Sequence, residues 1–301
     1  INVGLVGSEM CIRDRLWYSH TIKIIKLVEL KIAIVTIKQL FNNILKNFLI
    51  LYFILLSSFG FSDPLSDAVQ STERDTNNVL RDVHRNPYET LSFFEIKPSM
   101  TVIELSPGGG WYTEILANYL NKSGNLIAAH FAKNSSNAYL KNSRNNFEKK
   151  MDSKKIYKKV KIVDLNSNLA APETVDAVLT FRNLHNWLGS TMDEIFMNSY
   201  KSLKPGGIFG VVEHRAVSGT SFEAMKKSGY VTEEHAIKIA KKHGFELVKK
   251  SEINSNAQDT KNYPKGVWTL PPSLRMKDVN KEKYLNIGES DRMTLLFRKA
   301  L

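Results

Sequence analysis

One cysteine, Cys11, is all that the chain holds in 301 residues. A lone thiol cannot build an internal disulfide framework or a cysteine-based zinc site. Cys11 also lies outside the segments with folding patterns, so a cysteine nucleophile is not expected. The chain lacks a Gly-x-Ser-x-Gly elbow, a P-loop and a His-Glu-x-x-His pair, the signatures of serine hydrolases, phosphate-loop enzymes and zinc proteases. No internal repeat is visible. Hydrophobic residues at 43% and charged residues at 24% exclude a disordered chain, a collagen-like repeat and a polytopic membrane protein. Acid is the scarcer charge: Asp+Glu number 30 against 42 Lys+Arg, a net charge of +12. The excess is mostly lysine, spread through helix-like segments such as Lys149-Lys150, Lys154-Lys155 and Lys158-Lys159. Without interleaved aromatics or a nucleic-acid motif it reads as a solvated surface, and no nucleic-acid partner is expected.

The first fifteen residues, with Gly4-Leu5-Val6-Gly7-Ser8-Glu9-Met10-Cys11-Ile12-Arg13-Asp14-Arg15, resemble translated sequencing-adapter sequence and are set apart from the folded chain. Residues 16–62 have the order of an export leader. Lys38 and Lys46 precede the apolar run 48–56, and small residues Ser57, Ser58, Gly60 and Ser62 lead to Asp63-Pro64. The run is too short to span a bilayer. Cleavage is expected after Gly60 or Ser62. This leaves residues 63–301 as an exported or periplasmic domain with no stable membrane span. An uncleaved leader serving as a membrane anchor is the alternative.

Beyond residue 63, strand and helix patterns alternate. Residues 65–83 read as a polar helix stopped by Asn86-Pro87. Strands are expected at 100–105, 126–131, 160–165, 175–181, 208–212, 245–249 and 293–298. Helices are expected at 111–120, where apolar residues recur at helical spacing, at 138–155 and at 192–203, the last closed by Lys204-Pro205-Gly206-Gly207. A further helix is capped by Thr232, with Glu233 and Glu234 in its first turn, Lys241, Lys242 and His243 in its last, and Gly244 after it. Strands separated by helices imply a doubly wound, largely parallel sheet. Residues 251–291 show little periodicity, and a loop of that length is commonly functional.

The clearest chemical signal is Val102-Ile103-Glu104-Leu105-Ser106-Pro107-Gly108-Gly109-Gly110-Trp111-Tyr112-Thr113. A strand enters a glycine-rich turn that opens a helix, so the backbone can approach a nucleotide-like ligand and helix N–H groups can face it. The dinucleotide pattern G-x-G-x-x-G is not completed, because Thr113 holds its last position. That weighs against a nicotinamide enzyme. An acid before the loop, followed by the turn and helix, resembles the first motif of class I S-adenosylmethionine (SAM) methyltransferases, with Ser106 in place of the first glycine. The resemblance extends to Arg85-Asn86-Pro87, Phe181-Arg182-Asn183-Leu184-His185-Asn186-Trp187, Leu203-Lys204-Pro205-Gly206-Gly207, Val212-Glu213-His214-Arg215, Gly266-Val267-Trp268-Thr269-Leu270-Pro271-Pro272 and Gly288-Glu289-Ser290-Asp291-Arg292-Met293-Thr294. Together these residues, spread over about 74–300, resemble a group of often exported bacterial methyltransferases of unassigned substrate.

The resemblance implies a seven-stranded Rossmann-like sheet with its last strand antiparallel, and SAM as cofactor. Glu104, Ser106, Pro107, Gly108, Gly109, Gly110, Tyr112 and Thr113 are the implied cofactor residues. His130 stands where such enzymes end strand two with a ribose-binding acid, and Asp164 stands where an acid faces the adenine amine. The end of strand four faces the transferred methyl group in that fold, so Arg182, Asn183 and His185 are the catalytic candidates, with His214 after strand five. Arg182 suits an anionic group, because its fork can grip a carboxylate twice. His185, or failing it His214, suits proton removal near neutral pH. Trp187 and Trp268 read as core or lid aromatics. His130, His185, His214 and Glu213 are metal-ligand types but show no ligand spacing, so no metal is expected. The implied function is methyl transfer to a small-molecule or cell-envelope acceptor. The alternative is a methyltransferase-like domain that binds SAM without turnover.

Overall fold

The computed structural model describes residues 6–57 and 63–301. The chain divides into two compact units, Ile1–Phe61 and Ser62–Leu301. In the first, residues Val6–Ser57 form one helix, α1, whose C-terminal turns contain the apolar run 48–56. No helix among the described residues is long and apolar enough to cross a membrane. The expected cleavage points after Gly60 and Ser62 lie outside the described residues.

The second unit opens with short helical pieces instead of the single helix expected over 65–83. These are α2 (Pro64–Val69), α3 (Thr76–Val79) and one 3-10 turn at Asp82–His84. Buried Arg74 accounts for the folding back. Its guanidinium donates to the Val69 carbonyl at the end of α2, and also grips both Asp82 oxygens at 2.6 and 2.7 Å. Asp75 caps α3 by accepting from the Asn77 N–H.

There follow α4 (Pro87–Phe93), β1 (Thr101–Leu105), α5 (Trp111–Leu120), β2 (Asn125–His130), α6 (Ala138–Ser153), β3 (Lys161–Asp164) and β4 (Val175–Phe181). Next come α7 (Leu184–Trp187), α8 (Ser190–Ser202), β5 (Leu203–His214), α9 (Phe222–Ser228), α10 (Glu233–Lys242), β6 (Phe245–Ser251), α11 (Lys281–Ile287) and β7 (Arg292–Lys299). The seven expected strands all form. The Lys204-Pro205-Gly206-Gly207 segment joins β5 instead of ending a helix, with Gly206 at φ +73° to turn the backbone there. The stretch 251–291 holds α11 and the 3-10 turn Gly266–Thr269, two short elements without the periodicity that would announce them.

The sheet runs β3-β2-β1-β4-β5-β7-β6, and β7 lies antiparallel to both of its neighbours. Seven strands with the last antiparallel are what the resemblance implies. Strand residues alternate between two cores rather than between core and water, which is why the central strands read as unbroken apolar runs. Ile103, Leu105, Val178, Phe209, Val211 and Phe297 pack beneath α8 and α10. Val102, Ala128, Leu179, Val212 and Leu296 pack beneath α4 and α5.

The register sets the site. Parallel pairing aligns the carboxyl ends of β1, β2 and β4, with Leu105 beside Ala129 and Thr180. Because β7 runs the other way, its first residue, Arg292, lies beside His214 at the end of β5. The segment leading into β7 therefore joins the same edge of the sheet.

Gly210 in β5 has no room for a side chain. A Cβ there would lie 2.7 Å from Leu179 Cδ2 and 3.0 Å from the Phe94 ring. Gly210→Ala is expected to lower stability by about 1–3 kcal/mol, the usual cost of overpacking, as measured by urea denaturation.

Candidate active site

The glycine loop leaves β1 with the Ser106 N–H bonded to the Ala129 carbonyl at 2.8 Å. Ser106 itself sits at φ +46°, a left-handed conformation that glycine adopts freely and serine does not. Its Oγ is buried and has no hydrogen-bond partner. Gly110, at φ +82°, ends the loop and opens α5. A Cβ on Gly108 or Gly109 would meet no atom within 4 Å, so the outer side of the loop is open. Three side chains pin the loop by its carbonyls. The Asn183 amide donates to Leu105 O and Ser106 O at 3.2 and 3.3 Å. The Lys150 ammonium donates to Gly109 O at 2.9 Å.

The third pin is His130. Its Nδ1 accepts from the Phe131 N–H at 2.8 Å, which leaves the proton on Nε2 to donate to Gly108 O at 3.2 Å. The ring is buried, and burial pushes its pKa below the ordinary histidine value. The placement therefore differs from the one expected of a ribose ligand. Both ring nitrogens are used within the protein, because the strand-two end turns the ring inward onto the loop. Asp164 is likewise engaged, accepting from Arg144 at 2.8 Å. Tyr112 also faces away from the open side. Its ring stacks on Phe181 at 3.5 Å between centroids and its hydroxyl donates to the Arg85 carbonyl. Trp111, Tyr112 and Thr113 begin a helix whose first turn packs into the core. Glu104 lies beneath the glycine loop, accepting from the Thr113 hydroxyl at 2.6 Å. Burial pushes its carboxyl up to about 7, against the opposing pull of that hydrogen bond and of Lys150.

Beyond β4 and β5, His185 and His214 come together with their ring centroids 5.1 Å apart. Glu213, wholly buried, organises them. One oxygen accepts from the Leu184 N–H, at 2.5 Å; the other accepts from His185 Nδ1 at 2.9 Å and from the His214 N–H at 2.7 Å. With Nδ1–H committed to the carboxylate, His185 keeps Nε2 as an acceptor. No other group among the described residues hydrogen-bonds that ring. His214 Nδ1 pairs with the Ser290 hydroxyl. Burial, with a proton on His185 and the positive charges of Arg182, Arg292 and Arg85 acting in the same direction, pushes the His214 pKa well below the ordinary value and keeps the ring neutral. Trp268 stands edge-on to His185 at 6.0 Å. Ligand atoms of His185, Glu213 and His214 lie within 4.8 Å of one another, a proximity that sequence spacing did not reveal. Both Glu213 oxygens, however, are already occupied by N–H donors. His130 is not part of this group.

Arg182 follows β4 at φ +63°, held there by its N–H bond to the Val212 carbonyl. Burial lowers its guanidinium to about 10, still charged at neutral pH. It belongs to a set of four arginines around one carboxylate, Glu289. Arg81 approaches at 2.6 Å, Arg85 and Arg292 at 3.3 Å, and Arg182 at 3.8 Å. Burial alone would raise Glu289, but the four positive charges outweigh it and hold the carboxyl at about 2. Glu289, Arg85 and Arg292 were not singled out as site residues from sequence, and Glu213 was named only as a metal-ligand type. Each stands inside a motif quoted above, but only the antiparallel placement of β7 shows that 288–292 reaches the strand-four end.

The architecture is that of the class I methyltransferase fold. Among solved structures, a SAM-dependent methyltransferase from Aquifex aeolicus matches at a TM-score of 0.50 and 15% identity, covering 78% of this chain and 98% of its own. A proposed sarcosine dimethylglycine methyltransferase from Galdieria sulphuraria matches at 0.51 and 9% identity, covering 77% and 90%. At these identities the likeness is one of fold. No family model and no curated protein matches the chain.

The Glu104 carboxyl gives the site a pH signature. Its folded value of about 7 lies above the ordinary 4.5, so the folded state holds the proton more tightly than the unfolded chain does. The resulting stabilisation is complete below the unfolded value and is lost as pH rises through the folded one. Replacement by glutamine is expected to flatten this dependence, by up to about 3 kcal/mol. Urea denaturation of Glu104→Gln and the parent on either side of that window measures it.

Proposed function

We propose that residues 63–301 form a SAM-dependent methyltransferase domain acting on a small-molecule or cell-envelope acceptor. The observation that supports this best is the 106–110 loop. In this fold, at the carboxyl end of β1, it combines a buried unpartnered Ser106 hydroxyl, a left-handed serine backbone and two glycines that are open on their outer side. Strain and an orphaned hydroxyl at one position suit a ligand that supplies the missing partner. Ser106 and the backbone of Gly108 and Gly109 are the residues that would hold the cofactor. His130 and Lys150 act behind them by fixing the loop. When bound, SAM supplies a methyl group on a positively charged sulfur, which a nucleophile displaces.

The chain's own part is then to align the nucleophile and take its proton. His185 Nε2 is the acceptor, since Glu213 fixes the ring through Nδ1–H and stabilises the charge that protonation creates. Asn183 ties the strand-four end to the loop carbonyls, so the base and the cofactor cradle move as one piece. Trp268 covers the His185 ring and keeps water from it.

Two variants test this. Gly109→Leu places a side chain on the open side of the loop without demanding a left-handed backbone, and so is a cleaner probe than Gly108, at φ +58°. Calorimetry is expected to show S-adenosylhomocysteine binding to the parent and none to Gly109→Leu, with unchanged far-ultraviolet dichroism. Equal affinity in both would remove the loop from the site. His185→Ala is expected to keep that affinity and to lower tritiated-methyl transfer to cell-envelope fractions by roughly 100-fold. Binding without transfer to any fraction, in the parent itself, would favour a SAM-binding domain without turnover.

We further propose that the chain is exported, on the strength of the basic, apolar and small-residue order before Asp63. N-terminal sequencing of the protein from its native host is expected to begin near residues 61–63.

A further inference from the structure

We propose that the four-arginine group at the ends of β4 and β7 is an oxyanion subsite, and that the methyl acceptor is an acid, with a carboxylate or phosphate that docks against Arg182. The charge balance argues for it. Arg81, Arg85, Arg182 and Arg292 converge on Glu289, so four positive charges face one negative. Two neighbouring carboxylates are committed to other cations, Asp82 to Arg74 and Asp291 to Arg215 and Lys261. Glu213, held by three N–H groups, adds a second negative charge that acts on Arg182, and four guanidinium charges still exceed the two carboxylates. Tyr112, against the same group, stays neutral, its hydroxyl pushed up to about 12 by burial.

Hydrogen-bonding capacity is also left over. Arg85 is only 2% exposed, yet its Nη2 has no partner. Arg182 reaches Glu289 only at 3.8 Å, and its guanidinium makes no hydrogen bond among the described residues. Its side chain is 24% exposed, so the fork is open to a ligand. A buried guanidinium without its complement of acceptors is costly, and an oxyanion is the group that repays it with paired, charge-assisted bonds. The place is also right for an acceptor. Arg182 is three residues from His185, and Arg292 pairs across the sheet with His214. An anion on Arg182 therefore sets the rest of the molecule beside the His185 ring. This assignment rests on the methyltransferase reading only in naming the anion as the acceptor's. The cofactor's own carboxylate is the other source of the same chemistry.

Inorganic phosphate serves as the probe, titrated into the full chain by calorimetry and thermal denaturation, alone and with saturating S-adenosylhomocysteine. The expected result is phosphate binding with a raised melting temperature, persisting when S-adenosylhomocysteine is present. Arg182→Gln is expected to weaken it roughly ten- to a hundredfold with S-adenosylhomocysteine affinity unchanged. Arg182→Lys, which keeps the charge and loses the fork, should fall between. Competition between the two ligands, or weakened S-adenosylhomocysteine binding in Arg182→Gln, would give the subsite to the cofactor and overturn the proposal. So would absence of phosphate binding to the parent. Phosphate binding in a chain that does not bind S-adenosylhomocysteine would keep the oxyanion site and sink the methyltransferase reading instead.

Discussion

The Glu213 carboxylate is the interaction on which the candidate site depends. It is sealed from solvent at the end of β5 and its oxygens meet three N–H donors, from Leu184, His185 and His214. Burying a carboxylate costs far more than one hydrogen bond returns, so a buried acid persists only where donors surround it. Here those donors come from two chain segments. The Leu184 and His185 bonds belong to the turn after β4, and the His214 bond belongs to Glu213's own strand. The carboxylate thus closes the crevice between adjacent parallel strands and sets one histidine tautomer.

A second constraint follows from the reversed strand. In a wholly parallel sheet, the residues before β7 would emerge at the opposite edge, far from the ends of β4 and β5. Antiparallel pairing delivers Glu289, Ser290 and Arg292 to the site edge instead. Ser290 then reaches His214 and Glu289 gathers the arginines. The two histidines end up in contrasting surroundings. His185 has a carboxylate on its ring, whereas His214 has a hydroxyl and a field of positive charge. The proposed division of roles, His185 as proton acceptor and His214 as a ring kept neutral, rests on that contrast.

Much of this was legible in the sequence, for identifiable reasons. The central strands are buried on both faces, so Thr101–Leu105 and Val175–Phe181 stand out as apolar runs, and α5 shows its helical spacing from its first residue to its last. The loop was legible because glycines mark positive φ, and the serine among them proved to adopt the same conformation. The roles of His130 and Tyr112 were not legible. A residue type at a strand end or in a first helical turn does not say whether the side chain faces the ligand or the core, and both turn inward here. The Glu289 group was hidden for another reason. Arg81, Arg85, Arg182 and Arg292 are spread over more than 200 positions, and a charge cluster made by sheet topology leaves no local pattern. The fragmentation of 65–83 had a similar origin, since one buried arginine, Arg74, overrides a plausible helical period through contacts made only after folding.

Electrostatics connects the cradle to the arginines. The proposed cofactor brings a positive sulfur to an edge where four guanidinium groups outnumber the two carboxylates, Glu289 and Glu213, that act on them. Like charges in a poorly hydrated crevice repel more strongly than in water, because little solvent intervenes. A neutral acceptor would leave that repulsion in place, whereas an acidic acceptor lowers it by adding negative charge where the excess lies. A neutral His214 is consistent with the same balance, since a further proton there would deepen the excess. In the proposed reaction His185 escapes it, because Glu213, hydrogen-bonded to the ring, would meet the proton that it accepts. On the proposed reading, the site would tolerate a cationic cofactor and still generate an imidazolium during turnover when the acceptor itself brings the missing anion.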